Sequence, residues 1–385
     1  MSEVVIAGIG QIPVGEHWGM SLRSMAVKAM LAARKDAGGL VPQAVYVGNM
    51  LAPMVSHQAN LGSLLADQAH FVGAEGTTVE AAGASGGAAL RLAYLAILSG
   101  LVEVAMVVGV EKYTDQLPAE AEAALAQMMD SDYEAIQGST PTAQAAILMR
   151  RYLYEYGVEH DCFAGFPLIA HANAAGNPFA MYRKPINHET YVCADAISDP
   201  INLFDTAPYA DGAAALVLTR SELAPKNLEH GLVRVTGSSV VTDTLALHDR
   251  PDPLAFDAAG FSVERACSQA GILPQDADLF ELHDAYSIYA ALSLEAAGLA
   301  RRGQGWRLAE SGQVSLHGEM PISTLGGLKA RGNPVGASGI YQAVEASLQL
   351  RAEAGANQID GASRALIQSL GGPAATAVTH VLEKF

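Results

Sequence analysis

The sequence is poor in cysteine, in basic residues and in unbroken apolar runs, and each shortage removes a class of protein. Its three cysteines, Cys162, Cys193 and Cys267, are far apart with no Cys-x-x-Cys pair, so neither a disulfide framework nor a zinc site is expected. They read instead as small apolar residues of the interior. Lysine and arginine number 23 against 40 aspartate and glutamate, giving a net charge of −17. That balance favours solubility and repels nucleic acid, whose phosphates require a basic face. No apolar run of membrane-spanning length is expected, and Met1 leads directly into Val4-Val5-Ile6-Ala7-Gly8-Ile9-Gly10 without the segments of a signal peptide. A cytoplasmic protein is the expectation. There is no Gly-x-x-x-x-Gly-Lys-Ser/Thr loop, His-Glu-x-x-His helix or Gly-x-Ser-x-Gly elbow. Gly8-Ile9-Gly10 follows a strand, but Gln11-Ile12-Pro13 breaks the dinucleotide fingerprint. No nicotinamide, flavin, other tightly bound cofactor or metal is expected.

What is present is a chain of 385 residues, half of them apolar, enough to bury a large core. Short β-branched runs alternate with Ala/Leu-rich stretches of helical length, the pattern of an α/β protein with buried sheets. Strands are predicted near Val4–Gly10, Ala44–Gly48, Thr77–Glu80, Val104–Val110, Ala213–Leu218, Leu232–Val241, Leu279–Glu281, Ala365–Ser369 and Ala375–Leu382. Helices are predicted at Ser21–Asp36, Ala84–Ser99, Pro253–Ala270, Ser287–Ala297 and Ala337–Ala354. Gly83-Ala84-Ser85-Gly86 and Gly336-Ala337-Ser338-Gly339 each open a long Ala/Leu helix, suggesting a duplicated unit with halves at 1–225 and 226–385. Residues 111–198 interrupt the regularity with Gly, Pro, Asn and aromatics, and read as a long excursion over the sheet layers.

The first of those turns is the most informative. Val79–Ala89 passes from strand to helix at Gly83, where free N–H groups and the helix macrodipole would lower the pKa of a thiol, yet glycine has nothing to activate. Further along come His171-Ala172-Asn173-Ala174 with Asn177-Pro178-Phe179-Ala180, Ala210-Asp211-Gly212, His283-Asp284-Ala285-Tyr286, and the run Gly326–Gly339. This ordered set resembles the thiolases, most closely the sterol-carrier-protein-type and archaeal thiolase-like branch, over essentially the whole chain. The resemblance implies a fold of two similar α/β halves in five layers, α-β-α-β-α, assembled as a homodimer, with coenzyme A as part of the substrate.

Carried over position by position, three of the family's catalytic residues are replaced. Gly83 stands for the acyl-accepting cysteine, Ala285 for the acid/base cysteine and Asn333 for the histidine that activates the nucleophile. Only His283 is retained. A covalent acyl-enzyme is then without its nucleophile, while His283 and Asn333 still suit a thioester oxygen. Tyr286 and Tyr341 fall in the two loops concerned, as acid/base groups or as core residues with satisfied hydroxyls. The combination resembles the thiolase-like aldolases of steroid side-chain degradation, which work with a small partner protein carrying an OB-fold and a zinc ribbon. It implies retro-aldol cleavage of a β-hydroxyacyl-CoA, sterol side chains and lipid-transfer relatives included. A non-catalytic acyl-CoA- or lipid-binding subunit, or an unconventional acyltransferase or decarboxylase, remains open. Asp284 reads as a supporting group that orients His283 or a neighbouring turn. Gly83, Ser85, His171, Asn173, Gly336 and Ser338 are substrate-side candidates, with a loop held by its own hydrogen bonds as the alternative for His171 and Asn173. Arg183, Lys184, Lys329 and Arg331 are candidates for the anionic part of coenzyme A, or ordinary surface charges.

Overall fold

A computed structural model describes residues 3–385. Its strands are β1 (Val4–Gln11), β2 (Ala44–Gly48), β3 (Glu75–Val79), β4 (Val104–Glu111), β5 (Ala196–Ser198), β6 (Ile201–Asn202), β7 (Gly212–Arg220), β8 (Val233–Thr242), β9 (Leu279–Glu281), β10 (Arg364–Gly371) and β11 (Thr376–Lys384). The helices are α1 (Leu22–Asp36), α2 (Ala52–Val55), α3 (Leu61–Gln68), α4 (Ser85–Ser99), α5 (Pro118–Leu125), α6 (Pro141–Tyr156), α7 (Gly165–Ala174), α8 (His188–Val192), α9 (Asp257–Ala270), α10 (Ser287–Ala296), α11 (Gly305–Glu310) and α12 (Ser338–Leu350).

Nine strands form one mixed sheet in the order β3-β2-β4-β7-β1-β8-β11-β10-β9, and β5 and β6 form a small separate ladder. The strands of residues 4–220 and of residues 233–384 meet only at a short seam, where Val5 faces Arg234 and Ile6 faces Val233. Within each half the ladders run the length of the strands, as between β4 and β7 or β10 and β11. The narrow seam lets the two halves of the sheet enclose a central helical layer. α4 touches β2, β4 and β7 but also β8, β10 and β11, while α12 touches β1, β4 and β7 but also β9, β10 and β11. α1 and α3 cover the outer face of one half and α9 that of the other, so the expected five layers are present.

Close approach of these layers is built into the sequence by small residues. Gly8 and Gly10 lie against the backbone of α1 at Ala33 and Ala29, where a Cβ would collide. The Gly8-Ile9-Gly10 run is therefore a helix-packing surface. At the centre, a Cβ on Gly86 would lie 2.9 Å from the Gly336 carbonyl, and one on Gly339 would lie 2.5 Å from the Gly87 nitrogen. α4 and α12 thus cross backbone to backbone. Against the expectation that no apolar run is long enough, Ala82–Ser99 has the length and hydropathy to cross a membrane. Part of that apolar character follows from its place between the two halves of the sheet, although Leu92, Leu95 and Leu98 of the same helix are exposed.

The excursion is more regular than expected, because α5 to α8 and β5 lie within it. Thr140 caps α6 by accepting from the Ala143 nitrogen, and Pro141 occupies the first turn, where its missing N–H is harmless. Ala145, Leu148, Met149 and Tyr152 then bury one face of α6. The cysteine expectation holds only for Cys267: Cys162 is half-buried and Cys193 exposed, because both belong to this excursion.

Candidate active site

The loops that follow β3 and β9, the segment before α12, and the turn after β10 converge at the carboxyl ends of β3, β9 and β10. This is where open α/β sheets commonly bind ligands. They enclose a cavity of about 50 Å³ lined by Gly83, His283, Ala285, Tyr286, Tyr289, Asn333 and Val335, with Tyr113, Tyr209, Leu370 and Gly372. Leu125 and Met128 beside α5 and Pro141 of α6 complete the wall. No cysteine lines it. A larger groove of about 840 Å³ runs along α6 past Tyr133, Ile147 and Tyr154, but it contains none of the residues whose chemistry drew attention in the sequence.

One segment holds the two principal loops in register. The Ala207 nitrogen donates to the Ala285 carbonyl (2.8 Å), and the Asn333 nitrogen donates to the Pro208 carbonyl (3.2 Å). From within the central layer, Gln342 Nε2 donates to the Leu282 carbonyl (2.9 Å) and the Gln368 carbonyl (2.9 Å). His283 is thereby fixed next to Gly83: a Cβ on that glycine would lie 3.3 Å from the imidazole Cε1 and 3.6 Å from Nε2. It would also lie 2.6 Å from the Leu370 carbonyl. The missing side chain at Gly83 therefore accommodates close backbone packing and does not open space for a bulky acyl chain. Burial, and secondarily the Arg331 guanidinium, holds the His283 pKa down at about 3. The ring is neutral at physiological pH, and its Nδ1 is buried without a protein partner.

Asn333 offers its donor end. Its Oδ1 accepts from the Val335 nitrogen (3.1 Å) and from Ser338 Oγ (3.0 Å), and its own carbonyl accepts from the Tyr113 hydroxyl (2.9 Å). With the oxygen engaged twice, the amide nitrogen is the end left for a ligand. The Tyr286 hydroxyl lies 3.1 Å from Thr142 Oγ1 of α6, and its ring meets Tyr289 edge to face with centroids 5.0 Å apart. Burial raises its pKa, so the phenol is protonated and cannot itself be a strong resting base.

Several candidates lie elsewhere. Tyr341 is fully buried and donates to the Ile12 carbonyl (2.8 Å) and the Ala213 carbonyl (3.0 Å). It is a core residue with a satisfied hydroxyl, away from the cavity, and burial raises its pKa as well. Ser85 turns back on its own loop, accepting from the Ala81 nitrogen (2.9 Å) and donating to the Ala82 carbonyl (2.6 Å). Gly336 is held by its nitrogen to Glu111 (3.1 Å), a buried carboxyl that also accepts from the Met50 and Leu51 nitrogens. Asp284 supports a turn: its carboxylate accepts from the Leu328 nitrogen (2.6 Å) and Ser323 Oγ (3.0 Å).

His171 and Asn173 are also outside the cavity. His171 stacks on Tyr182 and meets Phe204 edge on, while Asn173 donates to the Ile322 and Ser323 carbonyls. Both stand in the last turns of α7 and not in a loop, and they tie that helix to Lys184 and to residues 322–323. Lys329 and Arg331 are buried. Lys329 donates to the Thr206 carbonyl (2.6 Å), and Arg331 pairs with Glu345 at 3.3 Å. Neither can meet a phosphate; of the four proposed cations, Arg183 and Lys184 remain exposed. Among the described residues no cluster of three or more His, Cys, Asp or Glu side chains is placed to hold a metal.

The sequence reading missed Tyr113, Tyr209 and Tyr289. Tyr289 had a signal, since it lies one helical turn beyond Tyr286. Tyr209 directly precedes Ala210-Asp211-Gly212. The fully buried Asp211 accepts from the Tyr113 nitrogen (2.8 Å), the Thr114 nitrogen (3.0 Å) and Thr114 Oγ1 (2.8 Å), so that motif sets Tyr113 against the cavity.

Comparison with known proteins agrees with this architecture. Residues 4–222 match the thiolase N-terminal domain and residues 239–384 the thiolase C-terminal domain-like family. An acetyl-CoA acetyltransferase from Methanothermobacter thermautotrophicus is 39% identical over 386 residues, covering the whole of both chains. The benzoylsuccinyl-CoA thiolase subunit BbsB of Thauera aromatica is 30% identical, covering 98% of this chain and 94% of its own. Among solved structures, the Ltp2-ChsH2(DUF35) aldolase has the same fold, with a TM-score of 0.84 at 23% identity over 99% of this chain and 98% of that one. From its layers to its converging loops, and over its full length, this chain belongs to the thiolase family.

Proposed function

We propose that this protein is an acyl-CoA carbon–carbon lyase that cleaves a β-hydroxyacyl-CoA by retro-aldol chemistry. The observation that carries the reading is a cavity in which His283, Asn333 and Tyr286 converge while no cysteine lines the wall. An acyl-enzyme needs an activated nucleophile, whereas an aldol cleavage needs a proton acceptor for the β-hydroxyl and donors for the enolate oxygen. A neutral imidazole and the free end of the Asn333 amide supply the donors. In the minor phenolate form that its raised pKa leaves, Tyr286 takes the β-hydroxyl proton as the Cα–Cβ bond breaks, the β-carbon leaves as an aldehyde or ketone, and the electron pair passes into the thioester as an enolate.

A second reading, acyl transfer as in thiolases, is favoured by the 39% identity to an acetyl-CoA acetyltransferase. One assay separates them. A panel of β-hydroxyacyl-CoA and β-ketoacyl-CoA thioesters, a sterol-type side chain included, is incubated with the protein and followed by mass spectrometry. Stoichiometric carbonyl product and shortened acyl-CoA from the β-hydroxy esters support lysis. CoA-dependent cleavage of the β-keto esters alone supports acyl transfer, and intact thioesters throughout leave a binding subunit.

The neighbouring fold is that of a protein named with a DUF35 partner, which supports adding a small OB-fold and zinc-ribbon protein to the assay. The excursion around α6, where Tyr133, Ile147 and Tyr154 are exposed, is where we place that contact. The open edge of β3 suits a homodimer. Size-exclusion chromatography with light scattering tests both assemblies.

A further inference from the structure

The cavity is small for many of the substrates that the lyase reading allows, and its walls are tied down. Pockets that enclose drug-sized ligands run to hundreds of cubic ångströms, and about 10–15 Å³ admits one water-sized group. At about 50 Å³, the space beside His283, Asn333 and Tyr286 takes a fragment of roughly three to five non-hydrogen atoms. On one side Tyr113 is pinned: its nitrogen donates to Asp211 (2.8 Å), its hydroxyl donates to the Asn333 carbonyl (2.9 Å), and its ring centroid lies 5.6 Å from that of Tyr209. On another, the Tyr286 hydroxyl is held by Thr142 and its ring by Tyr289. Leu370 is fully buried at the end of β10.

The apolar stretch of wall comes from α5 and the single 3₁₀ turn after it, Ala126–Met128. Leu125 packs with Met50, Leu51, Tyr113 and Val335, and Met128 lies against the same cluster. The Met128 carbonyl stands 3.5 Å from the place of a Cβ on Gly372, so backbone closes on backbone there. Farther along, Glu134 accepts from the Asp130 nitrogen (3.2 Å) and from the Leu247 nitrogen (2.7 Å), which fastens this segment to the other half of the fold. The larger groove along α6 does not extend the space, because the two share no lining residue. Pro141 lines the cavity while Gln144 and Ile147 line the groove, so the helix stands between them.

We propose that Leu125 and Met128 restrict the site to short-chain β-hydroxyacyl-CoA esters, with an acyl group of about four carbons, and exclude sterol-type side chains. This rests on the lyase reading above and names its substrate class. In such an ester Cα, Cβ, the β-hydroxyl and one methyl already fill the space, and each further methylene meets Leu125, Met128 or a tyrosine. With 3-hydroxybutyryl-CoA the Cα–Cβ bond breaks, the hydroxyl proton leaves through Tyr286 and is delivered to Cα, and the products are acetaldehyde and acetyl-CoA, so no other reactant is consumed. Leu125 and Met128 take no part in the proton transfers. They act by shape alone, and one methylene too many in a closed apolar pocket is worth about 10- to 200-fold in discrimination.

The test measures carbonyl release by the full-length protein from 3-hydroxybutyryl-CoA, 3-hydroxyoctanoyl-CoA and a sterol-type β-hydroxyacyl-CoA. The kcat/KM is expected to fall by about tenfold or more from the first ester to the second, with no release from the third. Met128→Ala, at a half-buried position, and Leu125→Ala, at a buried one, are expected to raise the octanoyl ester by about tenfold relative to the butyryl ester. Equal or faster cleavage of the longer esters by the wild type overturns the proposal, as does an unchanged ratio in the folded Met128→Ala protein. Release from no ester by any of the proteins refutes the lyase reading instead, and titration calorimetry with the butyryl and octanoyl esters then decides the size limit. Weaker wild-type binding of the octanoyl ester, reversed in Met128→Ala, supports it; equal or tighter wild-type binding overturns it.

Discussion

The two Gly-Ala-Ser-Gly turns are built alike and used differently. Each begins with a residue at positive φ, Ala82 at 50° and Val335 at 30°, passes through a single 3₁₀ turn, Ala82–Ala84 or Val335–Ala337, and feeds a helix of the central layer. In the first turn the serine closes on its own backbone, and the glycine beside the cavity packs on a carbonyl. In the second the serine hydroxyl reaches back to Asn333 and sets the orientation of a cavity amide. A repeated backbone thus provides a wall at one end and a functional group at the other. Val335 is the more strained of the two, since a β-branched residue at positive φ is a true outlier, and such strain concentrates where a loop must place a functional group.

Breaking the central crossing should have the largest effect. Gly339→Ala puts a Cβ 2.5 Å from the Gly87 nitrogen and 2.6 Å from Ser369 Oγ, neither of which can move without shifting a core element. A loss of about 3 kcal/mol or more is expected, against a smaller loss for Gly86→Ala, whose nearest contact is 2.9 Å. Urea unfolding midpoints of the two variants would show the ranking, and equal midpoints would mean that the crossing is not so tight.

The two tyrosines sharpen the same contrast between cavity and core. Tyr286→Phe should lower turnover by about a hundredfold, the scale of one general acid/base group, with little change in stability. Tyr341→Phe should leave turnover near wild type and cost about 1 kcal/mol, the net value of a buried hydrogen bond. Steady-state kinetics with thermal unfolding on both variants would expose a reversal of these roles.

Smaller effects follow at the serines. Ser338→Ala frees the Asn333 oxygen from one of its two donors and should lower kcat roughly tenfold through misorientation of the amide. Ser85→Ala removes the two hydrogen bonds that the serine makes within its own turn and should cost about 1 kcal/mol without a change in kcat. A kinetic effect from Ser85→Ala equal to that from Ser338→Ala would remove the distinction drawn between the turns.

Much of the fold was legible because it follows from local periodicity. The nine strands of the large sheet stand where the β-branched runs predicted them, and the five predicted helices match with their boundaries trimmed by a few residues. The helices of the excursion were missed, because polar and aromatic residues masked the apolar face of α6. Of the residues that line the cavity, His283, Tyr286 and Asn333 stand in loops that carry family motifs, whereas Tyr113 stands in none and Tyr209 only beside one.

The sequence by itself determined the nine strands of the large sheet and the five helices predicted with them, because these depend on neighbours a few residues apart, while the five layers were implied by the family resemblance. Only the tertiary structure decided which polar groups face the cavity. The Tyr341 hydroxyl is 329 positions from Ile12, whose carbonyl it meets, and Tyr286 is 144 from Thr142. Whether a buried hydroxyl is spent in the core or left for chemistry depends on a partner that only the folded chain brings within hydrogen-bonding distance.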